Sequence, residues 1–153
     1  MSVNDAPGTG WQWSLPRGRL LRRVLRTDPT QEYLLYLPTT EAPDAPVMIA
    51  VHGISRNVNE QARVFAPYCE RFGVVLVAPL FTNETHVDYQ RLGRAGRGAP
   101  ADQTLHDCLA EVASLTGTDV SQLYMFGFSG GGQFVHRYVM AHPHRVVKGM
   151  LVA

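Results

Sequence analysis

Four stretches of the chain are apolar without alternation: Val47–Val51, Val74–Ala78, Leu123–Phe126 and Gly149–Ala153. A strand with one wet face alternates, whereas an uninterrupted run is buried on both faces, as parallel strands are beneath two layers of helices. Segments with helical periodicity separate the runs, as that arrangement demands. Residues 57–71 place Ala62, Phe65, Ala66 and Cys69 on one side, with Pro67 expected to bend the helix. Residues 102–115 carry Leu105, Cys108, Leu109 and Val112 at i, i+3, i+4 and i+7, and Gly117 closes them. In residues 130–141, Phe134/Tyr138 and Val135/Val139 are four apart, and Pro143 stops the helix.

Upstream, Arg19–Thr27 mixes Leu and Val with Arg, Asp28-Pro29-Thr30 reads as a turn, and Tyr33–Leu37 follows, ended by Pro38. This pattern predicts an antiparallel hairpin with one wet face. The fold class is therefore α/β: an open, mostly parallel sheet of about six strands with helices on both faces. Residues 1–15 are a loosely held lead-in in which Trp11 and Trp13 could dock, and residues 16–153 form one domain. Residues 82–100 are too polar and too rich in Gly and Arg for a regular element. They leave the carboxyl end of a strand, where open α/β sheets place their ligands.

Composition removes several classes of function. With 14 Lys+Arg against 13 Asp+Glu, scattered rather than striped, nothing offers the basic footprint of a nucleic-acid binder. The longest apolar run is far short of the roughly 18 residues of a membrane span. The N-terminus has no apolar segment of a secretory signal. Cys69 and Cys108 sit on helical apolar faces without metal-ligand spacing, as core thiols do. A soluble, cytoplasmic domain without metal or organic cofactor is expected.

Gly127-Phe128-Ser129-Gly130-Gly131 matches G-x-S-x-G. A chance match occurs in about one chain of this length in twenty, so its setting carries the weight. A strand precedes it and a helix follows, the setting of a nucleophile elbow. A sharp turn strains the serine backbone, and side chains two positions either side would strike the neighbouring strand and helix. The helix then aims amide groups and its positive dipole end at the serine. Upstream, His52-Gly53-Ile54 follows the buried run Val47–Val51, and the glycine lets the next N–H turn inward. The Ile54 and Gly130 N–H groups would together form an oxyanion site beside Ser129.

On these two motifs the chain resembles the α/β-hydrolases. Asp88-Tyr-Gln-Arg-Leu-Gly93, Phe126-Gly-Phe-Ser-Gly-Gly131, His136-Arg137-Tyr138 and His142-Pro143 further resemble polyhydroxybutyrate-depolymerase-like bacterial esterases. The resemblance implies hydrolysis of a small-molecule or polyester-type ester, with Ser129 as nucleophile and the Ile54 and Gly130 amides as the oxyanion site. In that family an acid and a histidine follow the serine on later loops. Only 24 residues follow Ser129 here, enough for one helix and one strand, so the expected form lacks the C-terminal strands.

No internal histidine is a good replacement. His136 lies roughly 10 Å along the helix from Ser129, and His142 and His144 lie farther. His106 is expected at the surface, His52 near the elbow without needing to face it, and His86 in a mobile loop. Arg91, Arg94 and Arg97 are read as solvated rather than as anion ligands, and Asp102 and Asp107 as favourable charge at a helix start. A weak serine esterase is thus expected. The competing reading is a non-catalytic binding or structural fragment that needs a partner or a C-terminal half, since the apolar run at 146–153 would be an open edge that invites self-association. A dinucleotide site is disfavoured because Ser129 takes the place of the second glycine of G-x-G-x-x-G.

Overall fold

A computed structural model describes residues 14–93 and 96–153. The lead-in with Trp11 and Trp13, and Arg94, lie outside the described residues. Six strands form one sheet: β1 (Leu20–Leu25), β2 (Asp28–Tyr36), β3 (Val47–Val51), β4 (Val75–Leu80), β5 (Leu123–Phe128) and β6 (Val146–Val152). Their spatial order is β1-β2-β4-β3-β5-β6. β1/β2 and β2/β4 are antiparallel, while β4/β3, β3/β5 and β5/β6 are parallel. The helices are α1 (Val58–Phe72), α2 (Ala101–Thr116) and α3 (Gly130–Ala141).

Two layers of core follow from the strand pleat. On one face Leu35, Val47, Ile49, Val77, Leu123 and Met125 pack with Leu105, Leu109 and Val112 of α2 and Phe134 and Val135 of α3. On the other, Leu34, Tyr36, Ala50, Leu76 and Ala78 pack with Val58, Ala62 and Cys69 of α1. Both cysteines are buried free thiols. Glycines in the left-handed conformation, Gly73 and Gly117, end α1 and α2. No helix among the described residues is long and apolar enough to cross a membrane.

The structure corrects the sequence reading in four places. The hairpin reverses at Arg26-Thr27, because Leu25 pairs with Asp28; Asp28-Pro29-Thr30 opens β2 instead of forming the turn. Asp28 Oδ1 still accepts the Thr30 N–H at 3.1 Å, so the turn-like chemistry is used inside a strand end. Burial on both faces holds for β3 and β4 but not for β5 and β6. On the α1 side of β5 only Phe126 is covered, by Phe65 of α1 at 4.8 Å between ring centres, while Tyr124 and Phe128 are exposed, and β6 is open along almost its whole length.

The third correction concerns residues 82–100. They contain a 3-10 turn, Tyr89–Arg91, and bury His86, Asp88, Tyr89 and Leu92. His86 is fully buried, held by the Thr85 and Thr104 hydroxyls at 2.8 Å each, and is not in a mobile loop. Fourth, His106 is half-buried against Tyr138, whose hydroxyl lies 2.9 Å from its Nε2. Asp102 does stand in the first turn of α2, yet its partner is His142 Nε2 at 2.9 Å, which ties α2 to the end of α3.

α2 is held to the sheet mainly by apolar contact, and Leu105 is fully buried at its centre. Leu105→Ala is expected to cost about 2–5 kcal/mol, through lost transfer energy and the cavity left behind. Urea denaturation of the two proteins measures it, and a difference below about 1 kcal/mol would show that α2 is not part of the cooperative core.

Candidate active site

The end of β5 and the start of α3 meet at Ser129, whose backbone has φ 52° and ψ −115°. A non-glycine residue there is strained, a condition that persists only where the surroundings impose it. Those surroundings are backbone. A Cβ on Gly127 would lie 2.1 Å from the Gly131 carbonyl oxygen, and one on Gly131 would lie 2.1 Å from the Val51 oxygen. Only glycine permits the chain to turn this tightly and α3 to begin against the end of β3. The Ser129 N–H donates to the Val152 oxygen at 2.6 Å, so β6 also fixes the corner.

The His52-Gly53-Ile54 segment leaves β3 beside this corner. A Cβ on Gly53 would stand 3.5 Å from the Ser129 Cβ, and one on Gly130 would stand 2.9 Å from Ile54 Cγ2. Ile54 is thus brought to the adjacent pair Ser129 and Gly130 from 75 residues away in the sequence. The Ile54 N–H donates to no acceptor among the described residues. Gly130 opens α3, where the first amides have no intrahelical partner and the dipole is positive.

His52 is adjacent but occupied. Its Nε2 accepts the Phe81 N–H at 3.0 Å, which leaves the proton on Nδ1 to donate to the Gly53 oxygen at 2.8 Å. Burial lowers its pKa to about 4, so it is neutral near pH 7. The ring works as a rivet between the loops that leave β3 and β4. Burial lowers His86 to about 4 as well, with the nearby Arg56 charge adding to the effect. His136 lines the same cavity as Ser129, a hollow of about 350 Å³ between α3 and the end of β6 that also touches Gln133 and Leu151. No histidine among the described residues is hydrogen-bonded to Ser129. A second hollow of about 420 Å³, walled by Phe128, Phe126, Phe65 and Val64, lies beside Gly53. The described residues contain no cluster of His, Cys, Asp and Glu suited to a metal ion.

Sequence reasoning missed Tyr89 and Arg56. Tyr89 is fully buried, donates its hydroxyl to the His52 oxygen at 2.9 Å, and holds that hydroxyl oxygen 2.7 Å from where a Gly130 Cβ would be. It floors the His52–Ile54 turn. Its segment is anchored to α3 by Arg137 Nη1, which donates to the Gln90 oxygen at 3.1 Å. Tyr89 lies within the Asp88–Gly93 motif, so a signal existed; nothing in periodicity marks Arg56.

No protein-family model and no curated protein matches the chain. Solved structures do. The poly(3-hydroxybutyrate) depolymerase LpqC from Bordetella parapertussis is 29% identical over 86% of this chain and 51% of its own, with a TM-score of 0.68. Poly(aspartic acid) hydrolase-1 from Sphingomonas sp. KT-1 is 22% identical over 78% of this chain and 49% of its own, at 0.67. The acetyl xylan esterase from Aspergillus awamori is 16% identical over 87% of this chain and 51% of its own, at 0.66. The fold is therefore that of an α/β-hydrolase-like esterase, and the chain spans about half the length of these structures.

His52 and His86 give the fold a pH dependence of definite sign. Both are neutral in the folded state down to about pH 4, whereas in the unfolded chain they protonate below their ordinary value of 6.5. Stability is complete above pH 6.5 and falls as pH drops toward 4, by on the order of 3 kcal/mol from His52 alone. Urea denaturation at pH 7.5 and 4.5 measures the loss. His86→Gln, which bonds the threonines but does not titrate, should flatten the slope; an unchanged slope would refute the assignment to His86.

Proposed function

We propose that this chain is a serine hydrolase of carboxylic esters that acts through an acyl-enzyme on Ser129. The observation that carries the proposal is the strained serine at a glycine-lined corner with the Ile54 turn against it. In the proposed reaction Ser129 Oγ attacks the ester carbonyl. The oxygen becomes an oxyanion that the Ile54 and Gly130 N–H groups receive, and collapse expels the alcohol while the acyl group stays on Ser129. Water then releases the acid. A small-molecule or polyester-type ester fits this reading, since the similar structures include a poly(3-hydroxybutyrate) depolymerase and an acetyl xylan esterase.

The proton of Ser129 must pass to a base; His52 and His86 are engaged elsewhere, and His136, although it lines the same hollow, is not hydrogen-bonded to Ser129. Loss of the base of a triad costs on the order of 10⁶ in turnover, leaving about 10³–10⁴ over water from the oxyanion site and binding. The chain by itself is accordingly a weak esterase. A fluorophosphonate probe is expected to label it slowly, and Ser129→Ala to abolish the labelling. Labelling that survives in Ser129→Ala would remove Ser129 as nucleophile, and rapid stoichiometric labelling would show that a base is in place.

A second reading is favoured by β6. Val147, Met150, Leu151 and Val152 are exposed on an edge strand with a single charge, Lys148. Such an edge invites pairing. Under this reading the chain acts as a non-catalytic unit that self-associates through β6. Sedimentation should then show a dimer that Leu151→Lys dissociates; a monodisperse monomer would count against it.

A further inference from the structure

Arg56 stands two residues beyond Ile54, in the same turn. Its backbone is left-handed, with φ 57°, and its N–H closes the turn by donating to the Gly53 oxygen at 3.0 Å. Its guanidinium is held on three sides. Nε donates to Asn83 Oδ1 at 3.0 Å, Nη1 donates to the Phe81 carbonyl, and the central carbon lies 5.0 Å from the centre of the Tyr89 ring. All three partners are neutral.

Among the described residues no carboxylate lies within 4.0 Å of Arg56, although Glu60 and Glu84 are near in sequence. The charge is felt by its surroundings, because it contributes to the lowered pKa values of His52 and His86. A guanidinium has five N–H donors, and those not used here have no acceptor among the described residues. Half-buried and immobilised, the group loses little conformational entropy when it pairs with an anion, and its planar fork matches a carboxylate. Three neutral contacts would suffice for a purely architectural role. They do not account for a cation left unneutralised beside the turn that faces Ser129.

We propose that Arg56 is a specificity-determining residue that binds a carboxylate on the acyl part of the ester, so that the substrates are half-esters of dicarboxylic acids or similarly anionic acyl esters. This rests on the reading of Ser129 and the Ile54 turn as the reaction centre. A carboxylate is favoured over a phosphate dianion because one fixed cation matches a single negative charge. Arg56 does not take part in bond making. It orients the acyl chain so that the carbonyl oxygen meets the Ile54 and Gly130 amides, and it discriminates against neutral chains of equal length.

Binding can be read without turnover. Monomethyl succinate, monomethyl glutarate and the neutral methyl butyrate are titrated into the whole chain while the Arg56 Nε–H and Ile54 N–H resonances are followed by NMR. Saturable shifts at both positions are expected for at least one half-ester, with methyl butyrate at least tenfold weaker. Arg56→Gln should weaken half-ester binding tenfold or more, and Arg56→Lys, which keeps the charge without the fork, should fall between. If the glutamine variant does not fold, the lysine variant decides between the two outcomes. Absent shifts, equal binding of the neutral ester, or an affinity indifferent to both variants would overturn the proposal. Inorganic phosphate that displaces the half-ester at equal concentration would overturn the assignment to a carboxylate. Half-ester binding in a protein whose Ser129 never takes the fluorophosphonate would instead overturn the nucleophile and leave the anion site standing.

Discussion

The first turn of α3 presses on the carbonyl end of β3 so closely that Gly131 has no room for a side chain. This backbone-to-backbone contact is the constraint from which the rest of the site follows. It forces the serine before it into a positive φ, directs the helix amides toward the corner, and brings the His52–Ile54 turn alongside. The energy that holds the strain comes from the sheet and its helices, since Val47, Ile49, Phe134 and Val135 are completely buried around the junction. Rigid elements carry the strained residue, and the loops only complete it.

Around that contact lies a layer of polar groups whose work is architectural. His52 joins the exits of β3 and β4, Tyr89 bonds the carbonyl that the turn would otherwise leave bare, and His86 joins two threonines across residues 85–104. Each has its hydrogen-bonding capacity used by fixed neighbours, which is how a buried polar group escapes its desolvation cost. A histidine next to a strained serine invites a catalytic reading. Here backbone atoms set its tautomer and burial keeps it neutral, and proximity is not function. The same layer explains why Arg56 stands apart: among these groups it alone brings a full charge and meets only dipoles.

Much of this was legible in the residues. β3 and α3 have the bounds that their apolar runs and periodicity predict, and the six-stranded sheet with helices on both faces follows from the alternation of such segments. The tight corner at Ser129 was legible because steric exclusion writes glycine at fixed spacing. Residues 82–100 were not, because their burial comes from single side chains and hydroxyl bonds rather than from a repeating face. The exposure of β5 and β6 was not legible either, since an apolar run reports what a strand could bury and not whether a neighbour is there to cover it. Arg56 lay hidden for a related reason: its meaning resides in three contacts contributed by a different loop.

The amide of Ser129 is bonded to the carbonyl of Val152, the final residue of the least covered strand. The corner is consequently braced on one side by β3, deep in the protein, and on the other by a strand that solvent can reach. Edge segments with few buried neighbours open at small free-energy cost, independently of the rest of the domain. Fraying of β6 therefore releases one of the two braces of the serine while the sheet remains intact, and the geometry of the hydroxyl is governed by whatever firms up that margin.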